Sequence, residues 1–115
     1  MKGLDQYLTP PEDPLMFEEL DELVVNWAND KNIIAPDNAR NQLLKFYEEA
    51  GELASAELKN DQEGIIDALG DVLVTLIIYS KQKDLDLVEC LESAYRVIKN
   101  RTGKTVNGTF IKDGV

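Results

Sequence analysis

Histidine is absent from the 115-residue chain, and cysteine occurs only once, at Cys90. The lack of histidine excludes Ser–His–Asp triads and Cys–His nucleophilic pairs, because both use an imidazole as the general base. It also excludes the usual zinc sites built from Cys and His ligands. A lone cysteine cannot form a disulfide within the chain. The most abundant chemically active side chains are instead the 22 acidic ones.

Basic residues are scarce, and the formal net charge is −10. This balance argues against binding to nucleic acid or to anionic membranes, since both require a basic surface. Long apolar runs are also missing, because the longest, residues 72–79, is far shorter than a membrane span. The first residues lack the apolar core of a signal peptide. We therefore expect a cytoplasmic protein with neither nucleic acid nor membrane as a partner.

The distribution of proline and of apolar residues divides the chain. Three of the four prolines fall within residues 1–16, which we interpret as an N-terminal arm. Apolar spacings of three and four then predict four helices, over about residues 17–30, 37–58, 61–81 and 87–100. Asn107-Gly108 between β-prone pairs predicts a tight β-hairpin in residues 104–115. The predicted fold is all-α, a four-helix bundle-type domain over residues 17–103 followed by this hairpin.

Two of the predicted helices have apolar faces that must be buried against another element or another subunit. The third is apolar on nearly every side, which predicts burial at the centre of a bundle or in a subunit interface. In the fourth we expect Val88, Leu91, Tyr95 and Ile98 to point inward. A domain of this size is marginally stable by itself. Oligomerisation would therefore add to its stability.

Four carboxylates form the most informative pattern in the sequence. Glu49 and Glu52 are three residues apart and share a helix face, as do Asp67 and Asp71, which are four apart. A short connection makes the two helices antiparallel, which brings the four groups to similar heights. Beside them, Glu48 is equally compatible with a merely solvated acidic face.

The two aspartates argue most strongly for a metal. Asp67 and Asp71 lie within the most apolar helix, where an unpaired charge would be costly. A hard divalent cation such as Mg²⁺ would offset that cost, because it prefers carboxylate oxygens. Gly51 and Gly70 lie beside these carboxylates although each costs about 1 kcal/mol in a helix interior. They predict a close approach of the helices around an ion or phosphate, and helix packing alone is the alternative.

The motif Glu49-x-x-Glu52, followed by a short connection and Leu69-Gly70-Asp71, resembles the MazG-like all-α nucleoside triphosphate pyrophosphohydrolases. The resemblance covers roughly residues 17–103. It implies Mg²⁺, with Mn²⁺ as a possible substitute, and cleavage of (d)NTPs to (d)NMPs and pyrophosphate. It also implies a homodimer or homotetramer. Ala68 stands where the family carries a glutamate, which puts a second metal position in question.

Several further residues are predicted to serve the reaction. Lys45 lies one turn before Glu49 and is a candidate phosphate contact. Trp27 is a candidate for stacking on a base, with a core position as its alternative. Glu48 or Glu49 would accept a proton from the attacking water. The C-terminal basic residues are candidate phosphate contacts, although helix-dipole stabilisation would explain them equally well: Arg96, Lys99, Arg101 and Lys104.

Two other functions remain open on the sequence alone. The chain could be a non-catalytic acidic helical module that binds a partner, which predicts exposed carboxylates and no dependence on Mg²⁺. It could also be a hydrolase of the same fold acting on another phosphorylated nucleotide. A carboxylate cluster does not by itself specify which phosphate is cut, so attack at the α-phosphorus rests on the resemblance.

Overall fold

The computed structural model describes residues 14–114, and most of the predicted N-terminal arm lies outside them. This part of the chain is all-α with a terminal hairpin, as predicted. A short 3₁₀ turn, Pro36–Asn38, precedes the second helix. The helices are α1 (Phe17–Asp30), α2 (Ala39–Leu58), α3 (Gln62–Gln82) and α4 (Leu87–Ile98), and the strands are β1 (Gly103–Val106) and β2 (Thr109–Lys112).

Short polar residues set the helix boundaries. Asn60 adopts a left-handed conformation with φ of 54°, which reverses the chain after α2. The side chain of Asp61 then accepts a hydrogen bond from the backbone N–H of Gly64 at 3.0 Å and caps α3. Asp86 caps α4 in the same way, accepting from the backbone N–H of Val88 at 2.8 Å. These caps explain why the predicted helix starts agree closely with the observed ones.

An antiparallel pair, α2 and α3, forms the centre of the described chain, and α1 packs across α3. The most buried apolar side chains come from these three helices and are mostly small: Ala28, Ala56, Ala68, Ile77 and Ile78. None of the described helices is long and apolar enough to cross a membrane. The pair places Glu49 of α2 and Asp71 of α3 at one cavity, which positions the candidate site.

Helix α4 differs from its predicted packing. Leu91, Tyr95 and Ile98 were expected to face inward, but they are 64%, 57% and 52% exposed. Only Val88 of the predicted inward set is half-buried. The prediction is wrong for a single chain because α4 makes only a small contact with α3 and no other described element covers its apolar face.

The hairpin forms around Asn107-Gly108, as predicted. Both turn residues have positive φ, 51° and 81°, which matches the backbone twist of a two-residue hairpin turn. The strands are antiparallel, with Lys104 opposite Ile111 in the register. All residues of both strands are exposed in the described chain.

Candidate metal and nucleotide site

Helix α2 brings three glutamates together. One carboxylate oxygen each from Glu48, Glu49 and Glu52 lies within 4.8 Å of the others, close enough to hold one cation. The helical spacing explains the grouping, because residues three and four apart share a face. Glu48 and Glu52 are exposed, whereas Glu49 is only 6% exposed. Glu49 is therefore the carboxylate that the fold removes from water.

The two oxygens of Glu49 have different surroundings. Its Oε1 atom lies 3.4 Å from the ammonium nitrogen of Lys45. Its Oε2 atom is buried and has no hydrogen-bond partner among the described residues. An unsatisfied buried carboxylate oxygen is costly, and it is a preferred ligand of Mg²⁺. The residues present therefore fit a hard divalent cation, which Glu49 and Glu52 would hold from α2.

Lys45 provides the positive charge next to this cluster. Its Nζ atom donates a hydrogen bond to Oε1 of Glu48 at 3.2 Å. The hydrogen bonds to Glu48 and then to Glu49 raise the pKa of Lys45 above its ordinary value of 10.5. Lys45 is therefore protonated at neutral pH, and it is able to bind a phosphate oxygen.

Helix α3 contributes Asp71 to the site as an exposed carboxylate, whereas the prediction assumed a buried one. Asp67 and Asp71 are both exposed, so the premise that they carry buried charges is wrong. The reason is that α1 and α2 cover only part of the circumference of α3. Asp71 nevertheless lines the same cavity as Glu49 and Lys45. Ala68, at the position of the family glutamate, is 4% exposed.

A cavity of about 280 Å³ adjoins the glutamate cluster, between α1, α2 and α3. Its charged residues are Lys45, Glu49 and Asp71, and Trp27 lines it while remaining half exposed. Sequence reasoning missed Gln42, although its spacing to Lys45 and Glu49 places all three on one face of α2. The remaining lining residues are Ile33, Val74, Thr75 and Ile78.

The C-terminal basic residues lie elsewhere in the described chain. Arg96, Lys99, Arg101 and Lys104 are all exposed and none lines this cavity. Arg96 donates a hydrogen bond to Glu92 at 2.6 Å along α4. Their role in substrate binding stays a prediction.

The two glycines do not mediate a close helix approach. A Cβ atom added at Gly51 or Gly70 would meet no atom of a neighbouring element within 4 Å in the described structure. Both positions are exposed, so the predicted contact around an ion or phosphate is wrong for a single chain.

The all-α fold and the position of the carboxylates agree with the family that the sequence resembles. The family model of the MazG nucleotide pyrophosphohydrolase domain matches residues 38–106, more than half of the chain. The chain belongs to this family. It is also 37% identical over 73 residues to an uncharacterized 18.2 kDa protein in the rep-hol intergenic region of Haemophilus phage HP1. The match covers 61% of this chain but only 45% of that protein. No solved structure matches the chain.

Proposed function

We propose that this protein is a Mg²⁺-dependent nucleoside triphosphate pyrophosphohydrolase that converts (d)NTPs to (d)NMPs and pyrophosphate, with a role in nucleotide-pool housekeeping. The observation that carries the proposal is the buried Oε2 atom of Glu49, which has no hydrogen-bond partner among the described residues and lies within a three-glutamate cluster. Membership in the MazG family supports the class of reaction.

Glu49, Glu52 and Asp71 would hold the metal, with Asp67 as a further ligand. Glu49 comes from the interior, and the other three are exposed carboxylates on α2 and α3. Mg²⁺ neutralises part of the triphosphate charge when bound and polarises the phosphoryl oxygens. Mn²⁺ would substitute, because it also prefers carboxylate and phosphate oxygens.

The residues of the chain would orient the substrate and move one proton. Lys45 holds a phosphate oxygen, since its ammonium group lies at the edge of the cluster and its charge persists at neutral pH. Water attacks the α-phosphorus in line with the bond to the leaving pyrophosphate. Glu48 accepts the proton of that water, because it is the most accessible base next to Lys45. Glu49 is the alternative base.

A homo-oligomer is part of the proposal. The described chain buries mostly small side chains, while large apolar residues of α4 and the hairpin remain exposed. A second copy of the chain would cover these surfaces and would bring the C-terminal basic residues towards a neighbouring site. A homodimer or homotetramer is the assembly that the family resemblance implies.

The test is pyrophosphate release from a panel of NTPs and dNTPs, with and without Mg²⁺. Glu49→Gln, Glu52→Gln and Asp71→Asn are each expected to lower kcat/KM at least about a hundredfold, because each removes a metal ligand. Glu57→Gln is the matched control, since Glu57 is an exposed carboxylate of the same helix outside the cluster. Absence of metal-dependent turnover on every nucleotide would favour a non-catalytic binding module.

A further inference from the structure

The residues that line the cavity beside the glutamate cluster lie at two levels along α2 and α3, and only one of these levels carries carboxylates. Glu49 and Asp71 lie eleven residues on either side of Asn60, so they share one level of the antiparallel pair. Gln42 and Ile78 lie eighteen residues on either side and share another level. The two levels are about 10 Å apart, because seven residues of helix separate them.

The apolar part of the cavity has the composition of a base-binding pocket. Trp27, Ile33 and Ile78 supply an aromatic face and two aliphatic walls. Such walls favour a planar heterocycle, which stacks on indole and loses little hydration at its faces. The charged level at Glu49 and Asp71 matches the triphosphate and its metal. A nucleotide laid along α2 would therefore place its base beside Gln42.

Gln42, which is half-buried, is the polar side chain at this level that forms no hydrogen bond within the described residues. By contrast, the hydroxyl of Thr75 donates to the backbone carbonyl of Val72 at 2.7 Å. Lys45 is paired with Glu48 and Glu49. Gln42 lines the cavity, and its amide offers both a donor and an acceptor.

We propose that Gln42 is a specificity-determining residue that reads the hydrogen-bonding edge of the nucleotide base. The inference rests on the proposed nucleotide hydrolysis and assigns the base end of that same site. A carboxamide places one donor beside one acceptor, which complements the adjacent donor and acceptor of cytosine, uracil, thymine, adenine or guanine. Rotation of the amide by half a turn accommodates either order, so the wild-type site tolerates several bases.

The decisive variant is Gln42→Glu, which replaces the donor by a second acceptor at the same length. A carboxylate complements guanine, whose N1–H and N2–H groups are adjacent donors, and opposes a carbonyl such as O4 of uracil. We expect the ratio of kcat/KM for dGTP to that for dTTP to rise at least about tenfold. Gln42→Met keeps the volume without hydrogen bonds, and it should lower kcat/KM for all bases with little change in their ratios.

Asn41→Asp is the matched control for charge. Asn41 precedes Gln42, is exposed and does not line the cavity. The substitution Asn41→Asp therefore adds the same charge as Gln42→Glu but outside the cavity. It should leave the preference among bases within about twofold of wild type. A guanine preference in this variant equal to that of Gln42→Glu would overturn the proposal, because charge alone would then explain it.

Calorimetric binding of the four dNMPs separates this proposal from the proposed reaction. A shift towards dGMP in Gln42→Glu supports base reading even if no variant or wild type turns over a triphosphate. Turnover with an unchanged base profile in Gln42→Glu overturns base reading and leaves the reaction standing. Absence of both turnover and dNMP binding in the wild type overturns both.

Discussion

The Nζ atom of Lys45 lies 3.4 Å from Oε1 of Glu49, one turn further along α2. Lys45 is exposed, whereas Glu49 is the most buried carboxylate of the cluster. The ion pair therefore joins an exposed ammonium group to a buried carboxylate. A cation bound at Glu49 would compete with Lys45 for the same carboxylate, and it would free the ammonium group for a phosphate.

Lys45→Met is predicted to separate the two roles of this residue. Removal of the competing ammonium should tighten Mg²⁺ binding in the absence of nucleotide, as measured by calorimetry. Loss of the phosphate contact should raise KM for the triphosphate about tenfold, which corresponds to a hydrogen bond with a charged partner. Lys59→Met, at the exposed end of α2, is the control. An unchanged KM in Lys45→Met would remove this residue from the substrate site.

The pKa of Lys45 gives a second test of the same pair. Because its folded-state pKa is raised above 10.5, the stabilisation from its charge is present below pH 10.5 and is lost as the pH rises through the folded value. Lys45 therefore stays charged throughout the neutral range. Any change of activity with pH in that range comes from another group, and it should be identical in wild type and Lys45→Met. A neutral-range limb that disappears in Lys45→Met would contradict this assignment.

The positions of the helices could be predicted from the sequence because they depend on local signals. Asp61 and Asp86 are helix caps whose effect is confined to the next turn. Asn107-Gly108 acts within the hairpin turn. The three-residue spacing of Glu49 and Glu52 likewise fixes a shared helix face whatever surrounds it.

The burial of individual side chains could not be predicted in the same way. The spacing of Leu91 and Tyr95 shows that one face of α4 is apolar, but not whether its partner belongs to the same chain. The apolar neighbours of Asp71 indicated burial, yet the packing of α1 and α2 leaves that carboxylate exposed. Gln42 was missed because an amide has no distinctive motif until a cavity places it beside Trp27.

Asp21→Asn is predicted to stabilise the fold at neutral pH. Burial raises the pKa of Asp21 above 3.8, the charge of Asp86 raises it further, and Lys81 lowers it. A raised folded-state pKa means that the stability contribution of Asp21 is lost as the pH rises through that value. The gain should be below about 0.5 kcal/mol, as for most surface changes.

Urea unfolding measured at neutral pH and near the ordinary pKa of aspartate tests this sign. The advantage of Asp21→Asn should vanish as the pH falls below 3.8, because the wild-type carboxyl is then protonated in both the folded and the unfolded state. Lys81→Met should have the opposite effect at neutral pH, since Lys81 is the attractive partner. A destabilised Asp21→Asn at neutral pH would contradict the repulsion with Asp86.

Gly103→Ala is predicted to open the start of the hairpin. A Cβ atom at position 103 would lie 2.6 Å from Cζ of Phe110 and 2.8 Å from Cα of Lys112, and it would also overlap the carbonyl oxygen of Ile111. The strands must therefore separate, which amide hydrogen exchange of residues 103–112 should report as faster exchange. Gly51→Ala is the opposite control, because open space surrounds Gly51 and alanine should stabilise α2 by up to about 1 kcal/mol.

The exposed face of α4 predicts that the protein is a homo-oligomer in solution. Leu91, Tyr95 and Ile98 recur at spacings of four and three and form one apolar face that no described element covers. A second copy of the chain would bury this face, so the native mass should be at least twice the 12.9 kDa of one chain. Leu91→Ser combined with Tyr95→Ser should shift that mass towards one chain, because burial of the two side chains contributes several kcal/mol per subunit. Ser93→Asp, on the opposite face of α4, should leave the mass unchanged. A wild-type mass of one chain in light scattering would show that α4 stays uncovered, and the C-terminal basic residues would then have no neighbouring site to serve.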